Sequence, residues 1–319
     1  MNINNIRKIV RRGEILENEP MSRHTTFRAG GPARYFIRPA VKKELAALVR
    51  YLNLNRLPYF VIGNGSDLLV SDAGYDGTII HLGKNDGTEF TMLGIDDGTD
   101  PATECEPGEI RFDAGAGCLM SAVGHYAAQF GASGFEGLAG IPGCVGGACA
   151  MNAGAFGSEM KDVLRKLTLI SPKGEILERD ASELHFGYRS TSILEEGYLV
   201  ARAELSLKKG DPEEIKRKTE ELLQRRKEKQ PLEYPSAGST FKRPEGAYAG
   251  QLIEQAGLKG FSVGGAQVSE KHAGFVINKD HATAQDIFDL IRAVQKRVFE
   301  TSGFRLEPEV RMLGNFREA

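Results

Sequence analysis

Apolar residues recur with two different periods along the chain, and the changes of period predict where its helices and strands lie. A helical period begins at about Lys42, and its apolar face consists of Leu45, Leu48, Val49 and Leu52. Residues 35–37 and 59–62 are short apolar runs bounded by turn residues, which predicts a strand on each side of this helix. Residues 7–20 are interpreted as a short amphipathic helix followed by a polar turn. Strand, helix and strand in succession indicate a compact α/β unit.

The same two periods return in the second half of the chain. Residues 198–207 alternate apolar and polar side chains, which is the pattern of a half-buried strand. Residues 211–229 are predicted to form a highly charged helix with proline in its first turn. A further helix follows the capping pair Thr283 and Asp286, and its apolar face consists of Ile287, Leu290, Ile291, Val294 and Val298. The last segment, L-E-P-E-V-R-M-L, is predicted to be an edge strand.

Between these regions lies a stretch that follows neither period, F-E-G-L-A-G-I-P-G-C-V-G-G-A-C-A-M-N-A-G-A-F-G, from Phe135 to Gly157. Each glycine costs backbone entropy on folding, so a run of glycines is expected where another group must approach the backbone closely. Backbone amides without a neighbouring Cβ can lie against a flat ring or form an anion-binding nest. We therefore predict a ligand site here, and the alternative is a tight connection between two sheets.

A second loop, G-N-G-S at residues 63–66, resembles the start of a dinucleotide-binding fingerprint. The third glycine of that fingerprint would fall at position 68, which is leucine, and no helix clearly begins there. A classical Rossmann fold is therefore not supported. The loop still suits a phosphate nest, because its glycines free the amides and Ser66 adds a hydroxyl. A plain β-turn is the alternative.

Length and charge limit the classes of protein to which the chain can belong. At 319 residues it is expected to contain two or three domains, and 41% hydrophobic residues suffice for a buried interior. The formal charge of −2 argues against binding to nucleic acid or to an anionic membrane surface. The first residues include no apolar leader and no run is long enough to cross a bilayer, so a cytoplasmic protein is expected.

Cysteine and histidine usage argues against disulfides and metals. The 4 cysteines make no C-x-x-C pair, and two of them fall inside the glycine-rich stretch, so reduced thiols are expected. The 6 histidines show no ligand spacing, so no metal site is predicted. Residues 84–109 are polar and acidic, and we interpret them as a solvated surface excursion or a hairpin without chemistry.

A series of motifs, taken in order, resembles that of the UDP-N-acetylenolpyruvoylglucosamine reductase family. The motifs are G-N-G-S-D-L-L-V, G-L-A-G-I-P-G-C-V-G-G-A, N-A-G-A-F-G, F-G-Y-R-S, P-S-A-G-S-T-F-K-R-P and L-E-P-E-V-R. The resemblance implies an α+β fold, with a two-part FAD-binding region of the vanillyl-alcohol-oxidase (PCMH) type and a C-terminal α+β substrate-binding domain. The expected FAD-binding subdomains are residues 1–83 and 84–207, and the expected substrate domain is 208–319, whose final strand, 305–313, returns to the active site.

The resemblance also implies FAD as cofactor and NADPH as reductant. The residues implied to hold the FAD pyrophosphate are Gly63, Asn64, Gly65, Ser66, Asp67, Gly140, Ile141, Pro142, Gly143, Gly146, Gly147 and Ala148. Those implied to lie near the flavin are Asn152, Gly154 and Ala155. The implied reaction reduces UDP-N-acetylglucosamine enolpyruvate to UDP-N-acetylmuramate in peptidoglycan biosynthesis, and a hydride passes from flavin N5 to the vinyl carbon.

Arg189, Glu309 and Ser239 match the catalytic positions of the family. Arg189, in F-G-Y-R-S, is implied to pair with the enolate as its charge develops. Glu309, in L-E-P-E-V, is implied to polarise the same group, and would serve best if protonated. Ser239, in S-A-G-S, is implied to donate the proton, and we infer that a nearby cation such as Arg189 or Lys242 favours its transient alkoxide. Spacing alone would instead assign them to a surface ion pair, an exposed strand and a turn.

Substrate contacts carry over from the resemblance to Tyr188, Lys229, Lys242, Arg243 and His272. The family motif F-K-N-P is F-K-R-P here, and His272 stands where glutamine is common. Asp67 likewise replaces a frequent asparagine, so the detailed nucleotide contacts are expected to differ. One branch of the family has an inserted tyrosine loop after the catalytic arginine. The short connection after Arg189 has no room for it, so the chain resembles the branch without that loop.

Two other functions compete with the reductase. The first is an alcohol or sugar oxidase of the same flavin superfamily, but residues 28–32 offer no histidine for a flavin linkage and L-E-P-E-V would be unexplained. The second is a sugar-nucleotide-binding regulator that has lost the redox role, which predicts a colourless protein. The expected partner is a small-molecule substrate, without nucleic acid or membrane, and a monomer is expected.

Overall fold

Most of the predicted helices and strands are present in the computed structural model, which describes residues 3–83, 87–99 and 105–318. The α-helices of this part of the chain are α1 (Ile3–Ile9), α2 (Lys42–Leu54), α3 (Met120–Gln129), α4 (Val145–Ala150), α5 (Ser192–Glu195), α6 (Pro212–Lys229), α7 (Ala249–Gln255) and α8 (Ala284–Ser302). None of the helices in the described ranges is both long and apolar enough to cross a membrane.

The strands alternate with these helices along the chain. They are β1 (Glu14–Pro20), β2 (Pro32–Arg38), β3 (Tyr59–Ile62), β4 (Leu68–Val70), β5 (Tyr75–His81), β6 (Leu93–Asp96), β7 (Glu109–Gly115), β8 (Ala132–Ser133), β9 (Gly154–Ala155), β10 (Ser158–Glu159), β11 (Leu164–Ile170), β12 (Ile176–Asp180), β13 (Phe186–Gly187), β14 (Ser190–Thr191), β15 (Leu199–Lys209), β16 (Ser262–Val263), β17 (Ala266–Val268), β18 (Val276–Asn278) and β19 (Arg311–Leu313). The mixture of helix and strand agrees with the predicted α+β class.

The chain forms two units, and each combines separate stretches of sequence. The first unit consists of Met1–Leu16, Phe36–Asn64 and Thr78–Arg225, and the second of Glu17–Tyr35, Gly65–Gly77 and Arg226–Ala319. Several divisions fall inside regular elements, namely β1, β2, β5 and α6. The three consecutive domains implied by the family resemblance stay a prediction.

An antiparallel sheet organises the first unit. Its strand order is β12-β11-β15-β7-β6, and β8 also pairs with β15. The predicted alternation in β15 is confirmed, because Ala201, Ala203, Leu205 and Leu207 are buried. Strand β6 lies within the acidic excursion and pairs with residues 111–114 of β7, which follow the excursion. Asp86, Asp100 and Glu104 of that excursion lie outside the described residues.

The short helix and polar turn predicted for residues 7–20 are wrong beyond Ile9, because Glu14–Pro20 form a strand. The buried carboxylate of Glu44 accepts the amides of Arg11 and Arg12 at 2.8 and 2.7 Å. These amides therefore bond to a side chain of α2, and the helix cannot continue through them. A contact from a distant part of the chain thus decides where α1 ends.

The second unit is built around α8. All members of its predicted apolar face are buried in one cluster with residues of α7 and of the three-stranded sheet β16-β17-β18. The predicted capping box is confirmed, since the Thr283 hydroxyl accepts from the Asp286 amide at 3.0 Å and the Asp286 carboxylate accepts from the Thr283 amide at 3.0 Å. The predicted C-terminal strand is shortened to Arg311–Leu313, which pairs in parallel with β4.

The capping box makes a prediction about stability. Thr283→Ala should lower the free energy of unfolding by about 1 kcal/mol, because it leaves an amide of the first turn of α8 without its acceptor. Denaturant unfolding followed by circular dichroism measures the change. Thr301→Ala in the same helix is the matched control, because its exposed hydroxyl bonds back to the Arg297 and Val298 carbonyls, which are within the helix, and less than about 0.5 kcal/mol is expected. Equal effects of the two substitutions would contradict the capping role.

Candidate functional site

Two glycine-rich motifs meet in the first unit, where the loop after β3 contacts the residues that precede α4. The side-chain amide of Asn64 donates to the Pro142 carbonyl at 2.6 Å. A Cβ on Gly63 would lie 2.8 Å from the Cβ of Cys144, so no side chain fits between these two backbones. The structure therefore brings Gly63 and Asn64 together with the glycine-rich run 140–148, as a shared ligand site requires.

Two further glycines pack behind this contact, and sequence reasoning did not assign them to the site. A Cβ on Gly83 would lie 3.1 Å from the carbonyl carbon of Gly63. A Cβ on Gly117 would lie only 1.7 Å from the Leu82 carbonyl oxygen, so residue 117 must be glycine in this backbone. The available signal was the sequence G-A-G at residues 115–117, directly after the alternating run I-R-F-D-A.

The glycine-rich stretch contains a short helix, α4, which the sequence pattern did not predict. The amide of Val145 donates to the Cys118 carbonyl at 2.9 Å, and the amide of Gly146 donates to the Ala116 carbonyl at 2.8 Å. These two amides bond inside the protein and cannot belong to an anion nest. Gly147 is exposed, and nothing described beyond its own helix lies within 4 Å of a Cβ placed on it. The open side of the site is therefore at Gly147.

Tyr188 and Arg189 form the tip of a very small hairpin in the first unit, between β13 and β14. Arg189 has a φ of 54°, in the left-handed region that costs a residue with a side chain about 1–2 kcal/mol. Its guanidinium carbon lies 5.1 Å from the centre of the Tyr188 ring, and its Nη2 donates to the Gly154 carbonyl at 3.5 Å. Backbone strain of this kind concentrates at functional sites.

A buried amide and a carboxylate lie beside this hairpin. Asn152 is only 1% exposed, and its Nδ2 donates to Glu159 Oε2 at 3.0 Å and to the Gly187 carbonyl at 3.2 Å. Glu159 also pairs with Lys161 Nζ at 2.7 Å. The hydrogen bond from Lys161 and then that from Asn152, helped by the charge of Arg189, lower the pKa of Glu159. No sequence signal had pointed to Glu159.

Ser239 and Glu309 are held at neighbouring positions in the second unit by a short antiparallel pairing. The Glu309 amide donates to the Thr240 carbonyl at 2.8 Å, and Phe241 forms a bridge with Pro308. Ser239 is exposed, and its hydroxyl lies 3.5 Å from the Phe241 carbonyl. The structure thus brings two of the three predicted catalytic residues together within this unit, whereas Arg189 belongs to the first unit.

The predicted substrate residues of the second unit differ in their surroundings. The ammonium of Lys242 forms an ion pair with Glu307, so its charge is largely offset. The guanidinium carbon of Arg243 lies 4.1 Å from the centre of the exposed Tyr248 ring. Lys229 is the exposed last residue of α6. The three predicted substrate-binding cations therefore differ: Lys242 is in an ion pair, Arg243 contacts an aromatic ring, and Lys229 is exposed.

His272 lies close to the predicted proton donor. A Cβ on Gly274 would lie 3.0 Å from His272 Cε1 and 3.6 Å from the Ser239 hydroxyl, so this glycine separates the two side chains narrowly. The Nδ1 of His272 accepts a hydrogen bond from the Gly274 amide at 3.1 Å. The His272 ring packs edge-on against the Phe275 ring, with 4.9 Å between the two ring centres. Burial lowers the pKa of His272. The ring is therefore neutral at neutral pH, with its proton on Nε2.

None of Cys105, Cys118, Cys144 and Cys149 forms a disulfide, and the described residues offer no metal site. Cys118, Cys144 and Cys149 are buried and Cys105 is half-buried. Burial raises the pKa of Cys149 to about 12, so that side chain stays a thiol at neutral pH. Within residues 3–83, 87–99 and 105–318 no group of three or more histidine, cysteine or carboxylate side chains could hold a metal ion.

Known protein families match both parts of the chain. Residues 230–313 match the family described as UDP-N-acetylenolpyruvoylglucosamine reductase, C-terminal domain, and residues 33–180 match an FAD binding domain. The chain is 46% identical over 312 residues to the UDP-N-acetylenolpyruvoylglucosamine reductase of Caldanaerobacter subterraneus subsp. tengcongensis, a match that covers 98% of each chain. The chain belongs to the UDP-N-acetylenolpyruvoylglucosamine reductase family.

Other members of the reductase family agree over almost the whole length. The reductase of Lachnoclostridium phytofermentans is 48% identical over 309 residues, covering 97% of this chain and 96% of the relative. The crystal structure of the reductase from Thermus caldophilus matches with a TM-score of 0.76 and 36% identity, covering 95% of this chain and 99% of the other. The predicted fold class is confirmed, and the chain is an FAD-dependent oxidoreductase. Membership of the reductase family favours this activity over the oxidase and the regulator.

The first unit fits the FAD that the reductase family uses. Gly63 and Gly146 are packed so tightly on their protein side that a Cβ would lie 2.8 and 2.7 Å from a neighbouring side chain. Gly147 leaves the opposite side of the same run open and exposed. A pyrophosphate or a flat ring can therefore approach bare backbone at this position.

We expect Gly63→Ala to weaken FAD binding at least about tenfold. The added Cβ would meet Cys144, whose neighbours in α4 are fixed by hydrogen bonds to residues 116 and 118, so the loop has to move instead. The measurement is the flavin absorbance that remains with the protein after dialysis at a series of FAD concentrations. Gly94→Ala in β6 is the control, since its Cβ would lie 3.8 Å from its nearest neighbour. Unchanged flavin retention by Gly63→Ala would remove the loop from the cofactor site.

Proposed function

We propose that the protein reduces UDP-N-acetylglucosamine enolpyruvate to UDP-N-acetylmuramate with NADPH, as a step of peptidoglycan synthesis in the cytoplasm. The vinyl group gains two electrons and two hydrogens, one of which arrives as a proton at the carbon beside the carboxylate. The observation that carries the proposal is the backbone pairing of Thr240 with Glu309, because it keeps Ser239 and Glu309 at neighbouring positions of the chain fold. A proton donor and a group that polarises the carboxylate are what this addition requires.

The cofactor site is proposed on the first-unit glycines and on the loop that leads from them. FAD, when bound, supplies the two-electron chemistry that joins NADPH to the vinyl group. The residues proposed to hold its pyrophosphate are Gly63, Asn64, Gly65, Ser66, Asp67, Gly140, Ile141, Pro142, Gly143, Gly146, Gly147 and Ala148. Those proposed to lie near its ring are Asn152, Gly154 and Ala155. The amides of Val145 and Gly146 already donate to protein carbonyls. This supports binding of the cofactor against bare backbone rather than by the amides at the start of α4.

Arg189 is proposed to stabilise the enolate. Its planar guanidinium can donate two parallel hydrogen bonds to a carboxylate whose negative charge grows during the reaction. A cation held in place before the reaction lowers the barrier more than one that must reorient. The left-handed φ of 54° and the contact with Gly154 support such a fixed orientation.

Ser239 is proposed to donate the proton, and Glu309 to polarise the enolate beside it. The ion pair of Lys242 with Glu307 argues that Lys242 is a weak activator of the hydroxyl, because a neighbouring carboxylate offsets its charge. The neutral ring of His272 lies on the other side of Gly274 and cannot supply a cation either. Arg189 is therefore the proposed source of the positive charge that favours the alkoxide of Ser239.

The remaining polar and aromatic residues are proposed to bind the UDP-sugar. They are Tyr188, Lys229, Lys242, Arg243 and His272. Lys229 and Arg243 suit the diphosphate and the nucleotide, because both are exposed cations. The protein is proposed to act as a monomer that uses NADPH.

An anaerobic visible spectrum tests the whole proposal. The purified protein should be yellow, lose its colour with NADPH, and regain it when UDP-N-acetylglucosamine enolpyruvate is added. Recovery with oxygen but not with the enol ether would instead support an oxidase. A protein that holds no FAD would contradict both.

Ser239→Ala should leave the reduction of bound FAD by NADPH unchanged and slow the enol ether half-reaction about 100- to 10,000-fold, since the proton donor is removed. Stopped-flow absorbance separates the two half-reactions. Ser236→Ala is the control, because residue 236 lies in the same segment and bridges Ile277 through its backbone. Turnover of the enol ether at the normal rate would remove Ser239 from the mechanism.

Arg189→Lys should slow the same half-reaction about 100- to 1,000-fold, since an ammonium keeps the charge and loses the planar fork. The affinity for NADPH and the flavin spectrum should not change. Arg179→Lys provides a matched control, because Arg179 also lies over a tyrosine ring, that of Tyr198, at 4.8 Å, but pairs with Glu196. If both substitutions leave the reaction at its full rate, Arg189 does not stabilise the enolate.

A further inference from the structure

We propose that Asn152 is a positioning residue that fixes the direction of Arg189, through its carboxamide rather than through contact with the flavin. This rests on the proposed function, in which Arg189 stabilises the enolate. The arrangement consists of two small hairpins, β9–β10 and β13–β14, and Asn152 bonds to both of them.

The carboxamide of Asn152 is fully committed inside the protein. Its Nδ2 donates to Glu159 Oε2 at 3.0 Å and to the Gly187 carbonyl at 3.2 Å, which uses both of its hydrogens. Its Oδ1 accepts the Lys161 amide at 3.1 Å. With only 1% of the residue exposed, the side chain has no donor left for a cofactor. Any contact of residue 152 with the flavin would have to come from its backbone.

The β13–β14 hairpin needs support from outside. Only two residue pairs join its strands, Phe186 with Thr191 and Gly187 with Ser190. An isolated hairpin is marginally stable at best, and this one also holds Arg189 at a φ of 54°. Its strain persists only if neighbouring groups hold both strands in place.

Residues 150–152 supply those supports, one for each strand. The Gly187 carbonyl, next to the turn on β13, accepts from Asn152. On β14 the buried hydroxyl of Thr191 donates to the Ala150 carbonyl at 2.6 Å. The segment that ends α4 thus holds the hairpin on both sides of Tyr188 and Arg189.

The hydrogen bond from Asn152 to Glu159 connects the β13–β14 hairpin to the β9–β10 hairpin. Asn152 joins Glu159, on β10, to β13, and the carbonyl of Gly154, which pairs with Glu159 across the same hairpin, accepts from Arg189 Nη2. The negative charge of Glu159 is mainly offset by Lys161, whose Nζ lies 2.7 Å from Glu159 Oε2. Glu159 therefore does not need the guanidinium of Arg189 as its ion-pair partner. Asparagine suits this position because it tolerates its own φ of 45° and offers two donors and an acceptor.

The test compares Asn152→Gly with Asn152→Asp. Glycine accepts the φ of 45° without strain, so only the carboxamide is lost. Aspartate keeps the shape and the acceptor but loses both donors and sets a carboxylate against Glu159. Both variants should retain FAD and its reduction by NADPH, and should slow the enol ether half-reaction about 100-fold through misplacement of Arg189, with Asp at least as slow as Gly.

A double-mutant cycle with Arg189→Lys separates positioning from general support of the fold. If Asn152 acts through Arg189, the double variant Asn152→Gly/Arg189→Lys should be no slower than Arg189→Lys alone. Multiplied losses in the double variant, or loss of FAD by Asn152→Gly, would overturn the proposal. Asn53→Ala is the control, because Asn53 also bridges two segments of the first unit, donating to the Pro172 carbonyl at 2.7 Å, and should change neither half-reaction.

The same cycle distinguishes failure of the inference from failure of the proposed function. A slow Arg189→Lys with normal Asn152 variants would overturn only the positioning role. A normal Arg189→Lys would overturn the proposed role of the arginine, and the positioning role with it.

Discussion

The first unit depends on backbone segments that lie closer together than any side chain allows. A Cβ on Gly117 would overlap the Leu82 carbonyl oxygen at 1.7 Å, and one on Gly63 would meet Cys144 at 2.8 Å. Each glycine costs roughly 0.5–1 kcal/mol of backbone entropy relative to alanine. Hydrogen bonds such as that from the Gly146 amide to the Ala116 carbonyl help to offset this cost. The result is a rigid surface whose open side, at Gly147, consists of bare backbone.

In the second unit, hydrogen bonds of a buried neighbour, rather than closely packed glycines, fix the position of the proposed proton donor. Ser239 is exposed, and its hydroxyl makes a long hydrogen bond of 3.5 Å to the Phe241 carbonyl, which holds it weakly. Its neighbour Thr240 is fully buried, accepts the Val276 amide through its hydroxyl at 2.9 Å, and pairs by its carbonyl with Glu309. The proposed proton donor is therefore placed by an inert neighbour. Backbone bonds fix its position, so the side chain itself stays available for chemistry.

Local patterns were enough to predict the parts of the fold that depend on local causes. The charged helix α6, the alternation of β15 and the capping box at Thr283 each follow from a period or a cap within a few residues. The strand Glu14–Pro20 was missed, and the end of α1 depends on Glu44, more than thirty positions away, which accepts the amides of Arg11 and Arg12. No period in the first twenty residues contains that information.

The candidate site shows the same limit. The glycine motifs and the catalytic residues could be predicted from a family resemblance, since each has a characteristic local sequence. The proposed role of Asn152 could not, because its partners Glu159 and Gly187 lie 7 and 35 positions away and no local pattern shows that the three residues meet. The helix α4 was also missed, since glycine and alanine dominate it and its start is fixed by carbonyls of another segment, at Ala116 and Cys118.

In the proposed mechanism, these limits have a common physical origin. An arginine at the tip of a two-residue turn with a left-handed φ is unfavourable by about 1–2 kcal/mol, and no local preference would select it there. A flexible arginine on a relaxed turn would cost the fold less but would have to be ordered in each catalytic cycle. If the arginine is fixed in advance, the cost of ordering it falls on folding and not on the transition state. The hydrogen bonds of Asn152 to Gly187 and of Thr191 to Ala150 can offset that cost. In the proposed mechanism, the strained Arg189 and its distant supports thus act together to stabilise the enolate.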